Sequence, residues 1–232
     1  MWRVLSWNLK HGRAVPSAGR ELLGEFTAAL GAWEWDLALL QEVPPWWPAR
    51  LAAELGAEQR TVLASRSAGL AMRRAVAVRR PDLIKSHGGG ANAILARRGG
   101  PITAHRTRRL SLLPERRWVH GVRLERAPDD TGGVWVCNLH TAADAAQGTR
   151  AGATALTWAR GMPIVLGGDF NVRGLAFEQF AYAGGHGVDH VYVRGLMAVG
   201  NAEVLERGAL SDHAPVAVTV TQAERAGTSP VR

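Results

Sequence analysis

The chain is written in short apolar runs that stop abruptly at a polar residue, and this pattern restricts its folding more than any other feature. Runs rich in Val, Ile, Leu and Trp recur throughout, most of them bounded by Gly, Pro or charged residues. Each is long enough for a buried strand, and none approaches the roughly 18 residues that span a bilayer. They predict strands at 3–9, 37–43, 75–78, 93–96, 118–124, 134–139, 164–167, 188–193 and 214–221. Helical spacing is rarer. It is clearest at 19–33, where Leu22, Leu23, Phe26, Leu30 and Trp33 share one face, and weaker at 47–55 and 149–160. Strands alternating with helices give an α/β or α+β protein, two sheets with helices outside. No linker interrupts 1–221, which reads as a single domain, and 222–232 reads as a frayed tail.

The ends of the runs carry the chemistry. In "PIVLGGDFNVRG" an apolar strand runs into Asp169 and Asn171. Residues two apart on an extended chain face the same way, so this carboxylate and amide are expected to point into one space. There they could hold a metal ion, a phosphate or simply a turn. Other strand ends repeat the theme: Asn8 in "SWNLK", Glu42 in "LLQEV", His140 in "VWVCNLHT", Asp189 in "GVDHVYV", and Asp212 and His213 in "LSDHAPV". Any one of these can be explained as a turn or cap. Six such places in one chain cannot readily be dismissed that way.

Read in order, "WN", "QE", "NLH", "GDFN", "VDHV" and "SDHAPV" resemble the successive motifs of the endonuclease/exonuclease/phosphatase superfamily, over 7–216. The resemblance implies a four-layered α/β sandwich of two packed mixed sheets flanked by helices, and Mg²⁺- or Mn²⁺-dependent hydrolysis of phosphoester bonds. "ANAILARRG" resembles a further family segment, with Asn92 beside the active site, and Arg150 matches a recurring family arginine. Some nuclease branches place a tyrosine just before that segment, where this chain has the "GGG" loop at 88–90.

Breaking a phosphodiester requires neutralisation of charge on the phosphoryl group, a base for the attacking water and an in-line geometry. Mg²⁺ prefers oxygen ligands and takes only one or two carboxylates besides waters and phosphate. Glu42 is the first candidate ligand, with Asp212 and Asn8 nearby. His213 is the natural proton handler, since an imidazole titrates near working pH, and the family pattern places Asp189 on its other nitrogen. Asp169 is expected to orient or deprotonate water. Asn171 and His140 are expected to donate hydrogen bonds to phosphate oxygens. Arg116 and Arg117 lead directly into the strand at Trp118 and are candidates to line the pocket. His190 should point away from the site by alternation, and His11, His87, His105, His120 and His186 have no motif around them and read as surface or loop residues.

The formal charge of +8 is unevenly placed. Segment 73–126 holds 14 Lys and Arg against 3 acids, a net of +11, so the remainder is slightly acidic. Such a basic surface favours a polyanionic partner. The reading is therefore a cytoplasmic, monomeric nuclease for DNA or RNA, without membrane insertion. The alternative is a phosphatase or phosphodiesterase of a small or lipid-linked phosphate, and a third possibility, a binding module with a degenerate site, is opposed by the filled catalytic positions. The single Cys137 excludes a disulfide framework and reads as a core thiol. Trp46 and Trp47, just after Glu42, either stack on a base or close the core beneath their loop.

Overall fold

The computed structural model describes residues 1–64, 69–79, 90–113, 115–128 and 132–223. In chain order it comprises β1 (Trp2–Asn8), a 3₁₀ turn (Lys10–Gly12), α1 (Leu23–Ala32), β2 (Leu37–Val43), α2 (Pro48–Leu55), β3 (Glu58–Leu63), α3 (Leu70–Arg79) and β4 (Ala91–Ala96). There follow β5 (Ile102–Ser111), β6 (Arg117–Leu124), β7 (Val134–His140), α4 (Ala145–Ala159), β8 (Ile164–Asp169), β9 (Ala181–His186), β10 (Asp189–Arg194), β11 (Leu196–Val204) and β12 (Val216–Gln222).

These strands form two mixed six-stranded sheets, ordered β11-β12-β1-β2-β4-β3 and β5-β6-β7-β8-β10-β9. Each has one parallel pair, β1 with β2 and β7 with β8, and is otherwise antiparallel. Alternation distributes the side chains into layers. Val4, Leu39, Ile94, Val136, Val165, Val191 and Val218 fill the space between the sheets. Their sequence neighbours Leu5, Ala38 and Leu40 turn the other way, onto Phe26 and Leu30 of α1 and Leu51 of α2. Trp135, Cys137 and Leu166 likewise pack on Ala151, Ala155 and Ala159 of α4. The order is helices, sheet, sheet, helix, which is the expected α/β sandwich, and the central strands read as unbroken apolar runs because both of their faces are covered.

The sequence reading departs from this structure at identifiable places. Residues 75–78 lie in helix α3, not in a strand: Ala and Arg are strong helix formers, and the short "AVAV" run is flanked by arginines. Strands β3, β5, β9 and β11 were missed. Strand β12 extends through Gln222, while 224–232, most of the "GGG" loop and part of the basic segment (80–89) lie outside the described residues.

One glycine brings the ends of β7 and β8 together. Gly168 has φ +136°, and a Cβ there would lie 2.1 Å from the Leu139 carbonyl oxygen. Gly168→Ala is therefore expected to destabilise the protein by on the order of 3 kcal/mol through strain and overlap with backbone that cannot yield. Denaturant melts of the two proteins check this, and an unchanged midpoint would refute it.

Candidate active site

Strand ends β1, β2, β7, β8 and β10 open at one edge of the sandwich, and their terminal polar residues converge there. Parallel register sets His140 beside Asp169, and antiparallel register sets Asp189 on Asp169's other side. Under them lies a buried polar bridge between the sheets. The Asn138 amide donates to the carbonyls of Leu40 and Ala93, each at 2.9 Å, and its oxygen accepts from Gln41 Nε2 at 2.8 Å. The sequence reading quoted both residues, in "NLH" and "QE", without assigning them a role. Their signal was a buried amide inside an apolar strand, which needs a partner across the core.

Asp169 is the hub. Its Oδ2 accepts from Asn8 Nδ2 at 2.9 Å and lies 3.4 Å from His140 Nε2 and 3.9 Å from His213 Nε2. Its Oδ1 accepts from the Asn171 backbone N–H at 2.9 Å. Burial raises its carboxyl above the usual range, opposed by His213 and by the Asn8 and Asn171 hydrogen bonds. Asn171 corrects the alternation argument: it is not extended but left-handed, with φ 52°, and its amide donates to the Thr141 carbonyl at 2.8 Å. The chain turns here because Asp169 caps its own loop as an Asx turn and Asn tolerates that conformation.

His213 Nδ1 stands 2.7 Å from Asp189 Oδ2. Ser211 positions this loop: its hydroxyl donates to the Asn8 carbonyl at 2.6 Å and accepts from the His213 N–H at 3.1 Å. Burial alone would lower the imidazole, but the Asp189 hydrogen bond and the charges of Asp189, Asp169 and Asp212 overcome it and raise His213 to about 9. His140 behaves oppositely. Burial, then Arg117, holds it well below the normal histidine value, so it is neutral, and an Arg117 guanidinium nitrogen lies 2.7 Å from its Nδ1.

Of the three expected metal ligands, each meets a different neighbour. The Asn8 oxygen accepts from the Lys10 N–H at 2.9 Å. Asp212 is paired with the Lys10 ammonium and lies below the ordinary carboxylate range despite partial burial. Glu42 faces imidazoles, His11 at 3.1 Å and His140 at 3.9 Å. Burial raises Glu42, offset by Arg117 and His213. The sequence reading gave His11 a surface or loop role, and it lies in the turn after β1. Burial and Arg13 lower it to about 4, so it too is neutral. Among the described residues, Asp169, Asp189 and His213 form the one group of three whose ligand atoms all lie within 4.8 Å of one another.

Other expected positions separate clearly. Asn92 is buried, with neither its amide nitrogen nor its oxygen hydrogen-bonded. Arg117 reaches the site, whereas its neighbour Arg116 is exposed, as is Arg150 on the surface of α4. Trp47 is buried in the core, and both Trp47 and the half-buried Trp46 donate to Glu21 at 3.0 and 3.1 Å, so this pair closes the core and does not present a stacking surface. Cys137 is buried and burial pushes its thiol up, as a core residue requires. His190 turns away, toward the Val172 carbonyl and Tyr182.

Backbone strain concentrates at the same edge. Among described non-glycine residues with positive φ, all but Arg160 lie at this edge: Lys10, His11, Glu42, Asn171 and Ser211. Strain of this kind persists where surrounding structure holds a functional geometry.

A family model for the Endonuclease/Exonuclease/phosphatase family matches residues 5–213. The chain belongs to this family. Its members are phosphoester hydrolases dependent on divalent metal, and the protein is accordingly a phosphoesterase. No curated protein matches it in sequence. Similar solved structures include an endonuclease/exonuclease/phosphatase from Beutenbergia cavernae, with a TM-score of 0.70 at 20% identity over 95% of this chain and 71% of that one. The mannosyl-6-phosphatase of Bacteroides thetaiotaomicron superposes with 0.67 at 18% identity, over 95% and 100%. The human Nocturnin catalytic domain gives 0.69 at 15% identity, over 96% and 93%. At these identities the likeness is one of fold.

The family's divalent ion fits the residues present. Glu42 is a part-buried carboxylate, the oxygen donor that Mg²⁺ prefers, and its nearest partners are imidazoles and not a lysine or arginine. The second grouping fits less well, because a protonated His213 already gives its Nδ1 hydrogen to Asp189 and has no lone pair there for a metal.

Proposed function

We propose that the protein is a divalent-metal-dependent phosphodiesterase that acts on nucleic acid, with the cytoplasm as its setting and a monomer as its working form. The observation that carries this reading is the line Asp189, His213, Asp169: a charged imidazole held at 2.7 Å by one carboxylate, with its free nitrogen 3.9 Å from the other. The imidazolium and the carboxylate are thus neighbours on one edge, where an acid and a base can both reach a bound phosphoryl group. Asp169, raised by burial, orients the attacking water and takes its proton. Asn8 fixes the carboxylate's orientation through the 2.9 Å bond to Oδ2. His213 delivers a proton to the departing oxygen. Arg117 and the neutral His140 donate to the equatorial oxygens, and Asn171 contributes the second hydrogen of its amide. Asn92, with both polar atoms unpaired, faces substrate. Glu42 holds the metal, with Asn8 and Asp212 completing the ligand set directly or through water. When bound, the ion supplies positive charge to the developing pentacovalent phosphate.

Nucleic acid is favoured over a small substrate by the exposed arginines of one hairpin. In β5 and the turn after it, Arg106, Arg108, Arg109 and Arg116 are exposed. Arg109 pairs in register with Trp118, which pairs with His140, so the basic edge leads to the site. One observation supports the alternative of a small or lipid-linked phosphate. A cavity of about 370 Å³, large enough for a small ligand, lies beside His213 and is lined by Arg173, His186, Asp189, Arg207 and Asp212.

The substrate classes separate in a salt titration. Nucleic-acid affinity should fall with a log–log slope of about −0.9 per duplex phosphate contacted. Arg108→Glu, Arg109→Glu and Arg116→Glu together should flatten that slope while leaving hydrolysis of bis-p-nitrophenyl phosphate within about 3-fold, since none of the three reaches the reacting groups. Binding indifferent to both salt and the reversals, with inositol or sugar phosphates hydrolysed instead, would transfer the assignment to the small-phosphate alternative.

A further inference from the structure

His11 occupies a position that neither the site chemistry nor the fold explains. Its backbone is left-handed, φ 55° and ψ 30°, in the 3₁₀ turn after β1. Its ring is seated closely against Gly90, where a Cβ would lie 3.3 Å from Cε1. Nε2 is directed at Glu42 Oε2, 3.1 Å away, and the buried Nδ1 has no hydrogen-bond partner. A surface histidine needs no such enclosure, and a histidine serving packing alone would not be aimed at a carboxylate that itself sits at φ 50°.

We propose that His11 is a nitrogen ligand of the divalent ion held by Glu42, so that the metal centre has a mixed nitrogen–oxygen donor set and prefers Mn²⁺ or a later transition ion to Mg²⁺. The inference rests on the placement of the metal at Glu42 given above. Two neighbouring donors on a six-coordinate ion with bonds of about 2.1 Å lie about 3.0 Å apart, close to the observed separation of Nε2 and Oε2. A neutral imidazole adds a nitrogen donor, softer than a carboxylate oxygen, without adding charge. Imidazole is a good ligand for transition ions, whereas Mg²⁺ is satisfied by oxygen, so the nitrogen discriminates between metals where the carboxylate does not. The tight seat against Gly90 limits the ring's freedom, and a ligand held ready in this way loses little entropy on binding.

The variant His11→Asn isolates the imidazole, because Asn is the non-glycine residue most at ease in the left-handed conformation and leaves the turn undisturbed. Isothermal titration of the full chain with MnCl₂ and with MgCl₂, for wild type, His11→Asn and Glu42→Gln, separates the possibilities, with far-UV dichroism as the check on folding. Mn²⁺ affinity is expected to fall at least about 10-fold in His11→Asn while Mg²⁺ affinity changes by less than about 3-fold. Glu42→Gln should weaken both ions. In Mn²⁺-loaded protein carrying ¹⁵N-histidine, pulsed electron paramagnetic resonance should show a directly bound nitrogen that disappears in His11→Asn. Equal loss of both metals in His11→Asn would make the ring a support for Glu42 and overturn the proposal, as would Mn²⁺ binding and a nitrogen coupling that survive the substitution. Undiminished binding of both ions to Glu42→Gln would instead remove the metal placement on which the inference depends.

Discussion

Glu42→Gln is expected to reduce turnover of a phosphodiester by on the order of 10³-fold or more at saturating metal, and chelation of the wild-type enzyme should do the same. The substitution keeps the shape of the side chain and removes its charge. Glu42 has histidines, His11 and His140, as its ion-pair neighbours, where Asp212 has Lys10. Losing it therefore removes an anchor for the ion without freeing a buried cation. A bound ion contributes several kcal/mol to a phosphoryl transition state, and each 1.36 kcal/mol is about tenfold in rate. The measurement is initial rate on bis-p-nitrophenyl phosphate against metal concentration, with thermal melts to confirm folding. Full activity of the wild type in EDTA, or of Glu42→Gln at high metal, would refute metal placement and mechanism together.

The Asp189–His213 pair yields the second large effect. His213→Ala should lower turnover by on the order of 10³-fold, and Asp189→Asn by up to about 10⁴-fold, because the carboxylate sets both the tautomer and the charge of the imidazole. The double variant should be little worse than the worse single, since the two act as a unit. Their pH dependence has a defined sign. His213 is raised to about 9, so it is protonated through neutral pH and loses its proton as pH rises through that value. If the imidazolium is the acid for the leaving oxygen, kcat should decline above about pH 9 in wild type. Asp189→Asn removes the charge that holds the value up and weakens the hydrogen bond, so residual activity should decline at a lower pH. Independent multiplicative losses, or an alkaline limb that does not move in Asp189→Asn, would show that Asp189 does not serve His213.

The eight strands legible in the sequence and the four that were not differ in one physical respect. Each strand that was read correctly lies inside a sheet, with neighbours on both edges. Strands β3, β5, β9 and β11 are the four sheet edges. An edge strand has one partner and much solvent, and its side chains follow the demands of solubility: "ITAHRTRRLS" carries three arginines and "AYAGGH" two glycines, so neither shows apolar continuity. The one false strand, 75–78, failed for the complementary reason. Four apolar residues are too few to distinguish a strand from a helical segment, and local helix propensity prevailed.

The same division holds in the site. Asn8, Glu42, His140, Asp169, Asp189 and His213 were visible because each interrupts an apolar run at a strand end, and strand ends of a layered α/β protein gather along one edge. Contacts made across the sheets were not visible. That His11 faces Glu42, that Asn138 bonds to the backbones of both β2 and β4, and that Arg117 turns inward while Arg116 turns out depend on register and turn geometry. The class of fold, the family and the strand ends that carry the chemistry were legible in the chain, because apolar periodicity and ordered motifs are local properties. Which side chains meet there depends on the folded backbone, because a left-handed residue such as His11 or Asn171 redirects its side chain by an angle that no pattern of two or 3.6 residues records.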